Sequence, residues 1–260
     1  MALSGDGAPV TFSNALFVVI WWVMSGVAVV MLRRFSGVAS RRLSAVERTP
    51  TSLIAQAPRE GTVEIAGRVV ASERGLIQSA ASDRPAVYAR TLVERVNGSS
   101  RDTVLHDLAT RPFLVDDGSG ATAWVEIDES THVAADCSQL TGDDAESARI
   151  GALLTRNGIM DSPKKLVWRE WLIEAGANVY VLGEASSTSA GPSLTQYRDQ
   201  PGERLHITAP AKDTKREMLV STHGEAGLVH RLQGQRTMFR LAVGLVILVA
   251  VAVTFFIAMR

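Results

Sequence analysis

Two long apolar runs lie near the ends of the chain, and they constrain its fold more than any other feature. Ala15–Leu32 reads ALFVVIWWVMSGVAVVML, Leu241–Met259 reads LAVGLVILVAVAVTFFIAM, and neither contains a charged residue. Runs of this length span about 28 Å as helices, close to the ~30 Å hydrocarbon core of a bilayer. Buried core helices are usually shorter and carry polar residues on one face. The sequence therefore predicts transmembrane helices at 15–32 and 239–259.

Basic residues follow the first run and precede the second. Residues 33–48 contain five Arg against one acidic residue, and residues 204–240 contain seven basic residues against three acidic ones. By the positive-inside rule, the segment between the runs is cytoplasmic and both termini, including the short tail 1–14, lie outside. A cleaved signal peptide is disfavoured, because residues 1–14 contain no Lys or Arg ahead of the apolar run.

The formal net charge of zero conceals an uneven distribution. Residues 49–203 carry 22 acidic and 14 basic side chains, so an acidic domain lies between two basic segments. The basic segments favour an anionic leaflet, which makes the lipid bilayer an expected partner. The bias to arginine, 23 Arg against 4 Lys, is typical of GC-rich bacterial genomes and favours a bacterial inner membrane.

The middle segment has the pattern of a small β-rich domain. Alternation predicts strands at Thr62–Val70 and Ala86–Val96, and Asp-Asp-Gly-Ser-Gly predicts the tight turn of a hairpin within Phe113–Ile127. A second hairpin is predicted at Val167–Ala185, with its turn at Glu174–Ala177. Further predictions are a helix at Asp143–Arg156, a loop at 186–201, a strand near Leu205–Ile207, and a helix from Gly224 to Met238 that enters the second span.

These elements predict an α+β membrane protein. Two transmembrane helices flank a small β-rich soluble domain, barrel-like or sandwich-like, with one or two helices. A basic juxtamembrane linker occupies 33–59, the domain occupies 60–185, and residues 186–238 complete it.

No motif for chemistry stands out. One cysteine and five scattered histidines lack the paired spacing of a structural zinc site, and the Asp116–Gly120 run lacks the Glu of a calcium loop twelve residues in. Nucleophile and nucleotide-binding motifs are absent from the sequence. Cys137 and His132 are the weak candidates for a catalytic pair. We expect no metal, no cofactor and, from the acidic surroundings, no nucleic-acid partner.

Five segments resemble the motifs of one known family, and the last of them, REMLVSTHGEAGLVHRL at 216–232, is similar to the family's strand and amphipathic helix before the second span. EIAGRVVAS contains Gly67, and PAVYARTLVER begins with Pro85. PFLVDDGSGATAWVEI contains a Pro-Phe pair and an Asp-Gly turn, and WREWLIEAGANVYVLGEA contains an acid, a glycine and a closing Gly-Glu. With the two spans, this order resembles the GIDE family, also called the BAM (beside a membrane) domain family. The matching positions, taken as structural, are Gly67, Pro85, Phe113, Asp117, Gly118, Glu170, Gly176, Gly183 and Glu184.

The resemblance implies a protein-binding or scaffolding domain anchored beside a membrane. The best-known member of the family is a mitochondrial-anchored E3 ubiquitin ligase, whose RING follows the second span. This chain ends at Arg260 and has one cysteine, so we expect no RING and no enzyme activity. The expected partners are the bilayer and an unknown protein at its surface. The alternatives are an E3 ubiquitin ligase-like member that needs a RING in trans, an unrecognised hydrolase, and a structural membrane assembly factor.

The predicted topology is testable with a reporter fused after Arg260. Because the basic segments place the middle domain inside, an alkaline phosphatase fusion should be exported and active. A fusion that reports a cytoplasmic location would contradict the topology.

Overall fold

The computed structural model describes residues 12–139, 144–160, 166–186, 204–211, 214 and 216–259, and these form two compact units. One contains most of the two long helices, and the other spans Val46–Leu228. The helices are α1 Phe12–Arg48, α2 Asp144–Arg156 and α3 Gly224–Ala258. The strands are β1 Gly61–Ala71, β2 Ile77–Gln78, β3 Pro85–Ala86, β4 Tyr88–Asn97, β5 Ser100–Thr110, β6 Phe113–Asp116, β7 Thr122–Val125, β8 His132–Ala134, β9 Cys137–Gln139, β10 Leu166–Ile173, β11 Asn178–Ser186, β12 Leu205–Thr208 and β13 Leu219–Ser221.

The two long helices are uninterrupted. Helix α1 extends through the first part of the predicted linker at 33–59, as far as Arg48. Its Arg, Leu, Ala and Glu residues favour helix, and the helix ends where Pro50 disfavours helical geometry at Thr49. By length and composition, both α1 and α3 could cross a membrane, with mean hydropathies of 1.4 and 2.5 for their most apolar windows.

Two side-chain contacts pair α1 with α3. Trp22 Nε1 donates a hydrogen bond to Thr254 Oγ1 at 3.0 Å, and the rings of Phe35 and Phe239 stack with centroids 5.9 Å apart. The order of contacts along the two helices is reversed, so the helices run antiparallel. Arg34 immediately precedes Phe35 and Arg240 immediately follows Phe239, which places the two basic segments at the same end of the helix pair.

Five strands of the second unit form a closed barrel. The order is β1-β6-β7-β12-β11, and β11 pairs back onto β1 to close it. All of these pairs are antiparallel except β12 with β7. The barrel therefore belongs to the five-stranded Greek-key class that includes the OB-fold. Its interior is apolar, with residues such as Ile65, Phe113 and Val181 completely buried. The predicted β-rich domain between two apolar helices is confirmed at this level.

Two glycines allow strands to pass from one neighbour to another. Gly67 lies where β1 leaves β11 and begins to pair with β6, and a Cβ there would lie 2.6 Å from the carbonyl oxygen of Asp116. Gly183 is at the equivalent point of β11, where a Cβ would lie 2.5 Å from a methyl of Ile207. Two of the four glycines singled out in the sequence, Gly67 and Gly183, therefore occupy close approaches of the barrel wall.

A separate sheet, β5-β4-β10-β9, lies within the same unit. Its β4–β5 hairpin, joined by the turn residues Gly98 and Ser99, was not anticipated from the sequence. The buried residues Ile150, Leu153 and Leu154 of α2 pack with Val93 and Trp168 on one face of this sheet. Helix α2 agrees with the prediction of a helix at Asp143–Arg156.

The two predicted hairpins have different outcomes. The hairpin within Phe113–Ile127 is present as β6 and β7, with Gly118 and Gly120 at positive φ of 77° and 86°. The hairpin at Val167–Ala185 is wrong. Strand β10 pairs with β4 and β9, whereas β11 pairs with β1, β12 and β13. The turn at 174–177 thus carries the chain from the four-stranded sheet into the barrel, because both strands find better-matched partners elsewhere.

Gly67→Ala should destabilise the barrel, because a Cβ at this position must displace the backbone of Asp116. We expect a loss of about 1–3 kcal/mol in the free energy of unfolding, measured by denaturant titration of the purified chain in detergent. Gly234→Ala is the matched control, since a Cβ there meets nothing within 4 Å. Equal stability of the two variants would contradict the close approach at Gly67.

Candidate functional site

The nine positions singled out in the sequence are spread over the β-rich unit. Gly67 and Gly183 lie in the barrel wall, and Phe113 is fully buried inside it. Pro85 begins β3, which pairs with β2, and Glu184 is half-buried in β11. The remaining four positions, Asp117, Gly118, Glu170 and Gly176, form three separate local structures.

The first of these structures is a latch at the β6–β7 turn, by which we mean the hydrogen bonds that the Asp117 carboxylate accepts from Ile54 and Ser119. Asp117 Oδ2 accepts a hydrogen bond from the Ile54 amide at 2.7 Å, and its other oxygen accepts one from the Ser119 amide at 2.9 Å. Burial alone would raise the pKa of Asp117, but the hydrogen bonds from Ser119 and Ile54 outweigh it and leave the pKa lowered. The carboxylate thus fastens the segment before β1 to the hairpin, and Gly118 supplies the positive φ of the turn.

The second structure is a clamp around a fully buried carboxylate. Glu170 in β10 accepts hydrogen bonds from the Ala81 amide at 3.2 Å, the Thr91 hydroxyl at 3.2 Å and the Ser82 hydroxyl at 2.5 Å. Arg149 of α2 donates to the Ala81 carbonyl of the same loop. Glu170 therefore fixes the loop between β2 and β3 against the four-stranded sheet, which is a structural role.

The third structure is the crossing between the sheet and the barrel. Gly176 has a positive φ of 85°, its amide donates to the Val69 carbonyl at 2.8 Å, and its own carbonyl accepts from Arg68 Nε at 3.0 Å. Next to it, Glu174 forms an ion pair of 2.6 Å with Arg84. These contacts hold the turn that leads from β10 into β11.

A second buried carboxyl lies against the wall of the barrel. Glu64 accepts a hydrogen bond from the Thr51 hydroxyl, and burial raises its pKa. The pKa of Tyr180 is also raised, first by burial and then by the nearby Glu64. Both changes favour the neutral forms of the two side chains.

The weak catalytic candidates are not brought together. Cys137 lies in β9 of the four-stranded sheet, and His132 lies in β8, which pairs with β13. Burial raises the pKa of Cys137, and the nearby Arg169 only partly offsets this effect, so the thiol stays protonated. Within the described part of the chain, no group of three or more His, Cys, Asp or Glu could hold a metal ion.

One cluster that the sequence did not suggest has the geometry of a binding site. We call Arg90, Arg169 and Trp171, together with Glu94, the arginine–tryptophan cluster. Arg90 in β4 is directly opposite Trp171 in β10, and Arg169 is two residues before Trp171, so all three side chains share one face of the sheet. The Cζ atoms of Arg90 and Arg169 lie 5.1 Å and 5.8 Å from the centre of the Trp171 ring.

Two cations therefore contact a single indole, an arrangement that holds both guanidinium groups in place. Glu94 forms an ion pair of 2.7 Å with Arg169 and a longer one of 3.6 Å with the exposed Arg101. The Nε–H groups of Arg90 and Arg169 have no hydrogen-bond acceptor among the described residues. These Nε atoms are buried, so it is the positive charge of the cluster, and not these donors, that suits a carboxylate or a phosphate.

The cluster is partly exposed to solvent on its face of the four-stranded sheet. Arg90, Arg169 and Trp171 are half-buried, and the neighbouring His106 and Cys137 on the same face are exposed. Trp171 also packs against the core of the barrel, which anchors the ring. The opposite face of the sheet holds the buried Trp168 under α2. The sequence signal was the Arg-x-Trp alternation in β10, but its meaning depended on the unpredicted pairing with β4.

Comparison with known proteins gives no further guidance. No family model, no curated protein and no solved structure matches this chain.

The lowered pKa of Asp117 predicts a pH-dependent contribution to stability. The contribution is present above the ordinary carboxyl pKa of 3.8 and is lost as pH falls through the lowered pKa of the folded state. Asp117→Asn should therefore cost about 1–2 kcal/mol at pH 7 and much less at pH 2–3, by denaturant titration of the purified chain. Asp116→Asn serves as the control. A penalty for Asp117→Asn that is independent of pH would contradict the latch.

Proposed function

We propose that this protein is a membrane-anchored binding module. Helices α1 and α3 insert in a bilayer, and the arginine–tryptophan cluster of the β-rich domain recognises a protein partner at the membrane surface. The order of two apolar helices around a β-rich domain supports a GIDE/BAM-like module as part of this proposal. The observation that carries the binding function is the contact of Trp171 with two guanidinium groups on one face of the sheet.

Exposed apolar side chains support the membrane part of the proposal. Val23, Met31, Leu245, Leu248 and Phe255 are each about three-fifths or more exposed along the helix pair. A large apolar surface of this kind is costly in water and is favourable in lipid. The paired helices therefore have the surface expected of a two-span anchor.

The basic segments support the proposed orientation. Since α1 and α3 are antiparallel and Phe35 stacks on Phe239, Arg34 and Arg240 lie at the same end of the pair. A single leaflet would then contact both basic segments. The positive-inside rule assigns that leaflet to the cytoplasmic side, with both termini outside, and we propose the bacterial inner membrane as the location.

Charge indicates the chemistry of the partner. Residues 49–203 are acidic overall, so the two arginines of the cluster form a local positive site on a domain that otherwise repels anions. Nucleic acid requires a broader basic surface, because phosphate contacts dominate its binding. A protein segment with an isolated carboxylate beside an apolar side chain fits better, because the guanidinium groups bind the acid and Trp171 packs against the apolar group.

The edge of the sheet supports an extended partner segment. Strand β5 has 11 residues and lies at the edge of the sheet. In the described structure it pairs only with β4, which lies between β5 and β10. Its remaining edge presents backbone groups that can pair with another strand. A segment added there would lie beside His106 of β5 and two strands from Arg90 of β4, on the same face, with Trp171 of β10 three strands away.

Site-specific photo-crosslinking in cells tests this function. A photoreactive amino acid is placed at the exposed His106, in the full-length protein, with an equivalent insertion at the highly exposed Met160 as the positional control. We expect a discrete protein adduct from position 106 and none of the same mass from position 160.

Arg90→Gln should lower the yield of that adduct severalfold, because it removes one of the two cations from Trp171. Arg111→Gln, which removes the same charge from an exposed residue outside the cluster, should leave the yield unchanged. The same adduct from both positions, equal yields from both variants, or crosslinks to nucleic acid in place of protein would each contradict the proposal.

A further inference from the structure

A groove on α1 is the feature that leads furthest beyond the proposed function. An open concave surface lies along the helix just where the apolar run ends. It is lined by Val30, Arg33, Arg34, Gly37, Val38 and Arg41. All six residues belong to one helix, so the groove exists independently of how the β-rich domain is placed.

Helical spacing explains the groove. Steps of three, four and seven residues from Val30 reach Arg33, Arg34 and Gly37, which places all of them on one side of α1. Gly37 forms the floor, because a Cβ there would meet only the Nη1 of Arg41, at 3.7 Å. The glycine thus leaves a space between arginines that lie one turn before it and one turn after it.

The lining is suited to a molecule with both charge and an apolar chain. Arg33, Arg34 and Arg41 are exposed and offer several guanidinium donors, and α1 has no Asp or Glu from Phe12 to Val46 to compete for them. Val30 belongs to the apolar run, so the groove adjoins the apolar part of the helix. A phosphate among the arginines would therefore place an attached acyl chain alongside the span.

We propose that this groove is a binding site for the headgroup of an anionic phospholipid. Arg34 and Arg41 contact the phosphate, Gly37 leaves room for it, and the acyl chains lie along Val30 and the preceding apolar residues. This inference rests on the membrane insertion of α1 that belongs to the proposed function, but not on the protein partner. It distinguishes one defined site from the general attraction of a basic segment to an anionic leaflet.

Native mass spectrometry of the detergent-solubilised full-length protein tests the site. Phosphatidylglycerol is titrated against phosphatidylcholine, and the dissociation constant of the first bound lipid is measured for each. We expect phosphatidylglycerol to bind and phosphatidylcholine to bind at least about tenfold more weakly, because it has no net charge. Equal affinities would overturn the proposal.

Two pairs of substitutions separate a site from diffuse charge. Arg34→Gln with Arg41→Gln should weaken phosphatidylglycerol binding about 30-fold, since both lie in the groove. Arg48→Gln with Arg240→Gln removes the same charge from exposed residues outside the lining and should change binding less than about threefold. Equal losses would show that only the net charge matters.

A third variant changes shape without changing charge. Gly37→Leu fills the floor of the groove and should weaken phosphatidylglycerol binding, while circular dichroism shows unchanged helix content. Unchanged affinity would contradict a built site. Excess inorganic phosphate should not displace the lipid, and displacement by phosphate would assign the groove to a free anion instead.

Failure of this inference can be told apart from failure of the anchor. Carbonate extraction of cell membranes reports whether the full-length protein is embedded. Release into the soluble fraction would overturn both the anchor and the lipid site. A protein that stays in the membrane but shows no preference for phosphatidylglycerol would overturn the lipid site alone.

Discussion

Antiparallel pairing of β1 with β11 is the interaction on which the rest of the β-rich domain depends. It runs from Gly61–Ala185 to Arg68–Asn178 and converts a row of five strands into a closed barrel. Closure gives the apolar interior around Ile65 and Val181 no open edge, so the core is sealed by backbone hydrogen bonds. Closure brings the strands so close that a Cβ would clash where each strand changes neighbours, and glycines occupy those two positions, 67 and 183.

Strand β11 also connects the barrel to the candidate binding site and fixes the position of that site. Strand β11 continues β10 through a turn fixed by Gly176, whose backbone pairs with Val69 of β1. Strand β10 then places Trp171 opposite Arg90, with its ring packed against the barrel core. The two arginines are thus presented by a rigid scaffold rather than by a loop, which reduces the entropy lost on binding.

The sequence was sufficient where structure is determined locally. The apolar runs predicted two long helices by composition, and Asp-Gly in the β6–β7 turn predicted a hairpin because it supplies the required φ. The sequence was insufficient where strands pair with partners that are distant along the chain. The turn after Ile173 has a similar local signal, yet its flanking strands enter different sheets. Arg90, Trp171 and Arg169 could not be associated, because their proximity depends on the register between β4 and β10. Nothing in the local sequence indicated that Gly37 would form the floor of a groove on α1.

The two binding sites that we propose occupy different units. Helix α1 carries the groove proposed for an anionic lipid, and the β-rich domain carries the arginine–tryptophan cluster proposed for a protein segment. Each depends on guanidinium groups held in a fixed array, by helical spacing in α1 and by cross-strand pairing in the sheet.

The central claim is that the cluster face is covered by a partner in the native membrane. Hydroxyl-radical footprinting with mass spectrometry tests it directly, by comparing native membranes with the purified protein in detergent. We predict that oxidation of Trp171 and His106 is several times lower in native membranes, whereas oxidation of the exposed Met160 is the same in both samples. Equal oxidation of Trp171 and His106 in the two samples would contradict the claim.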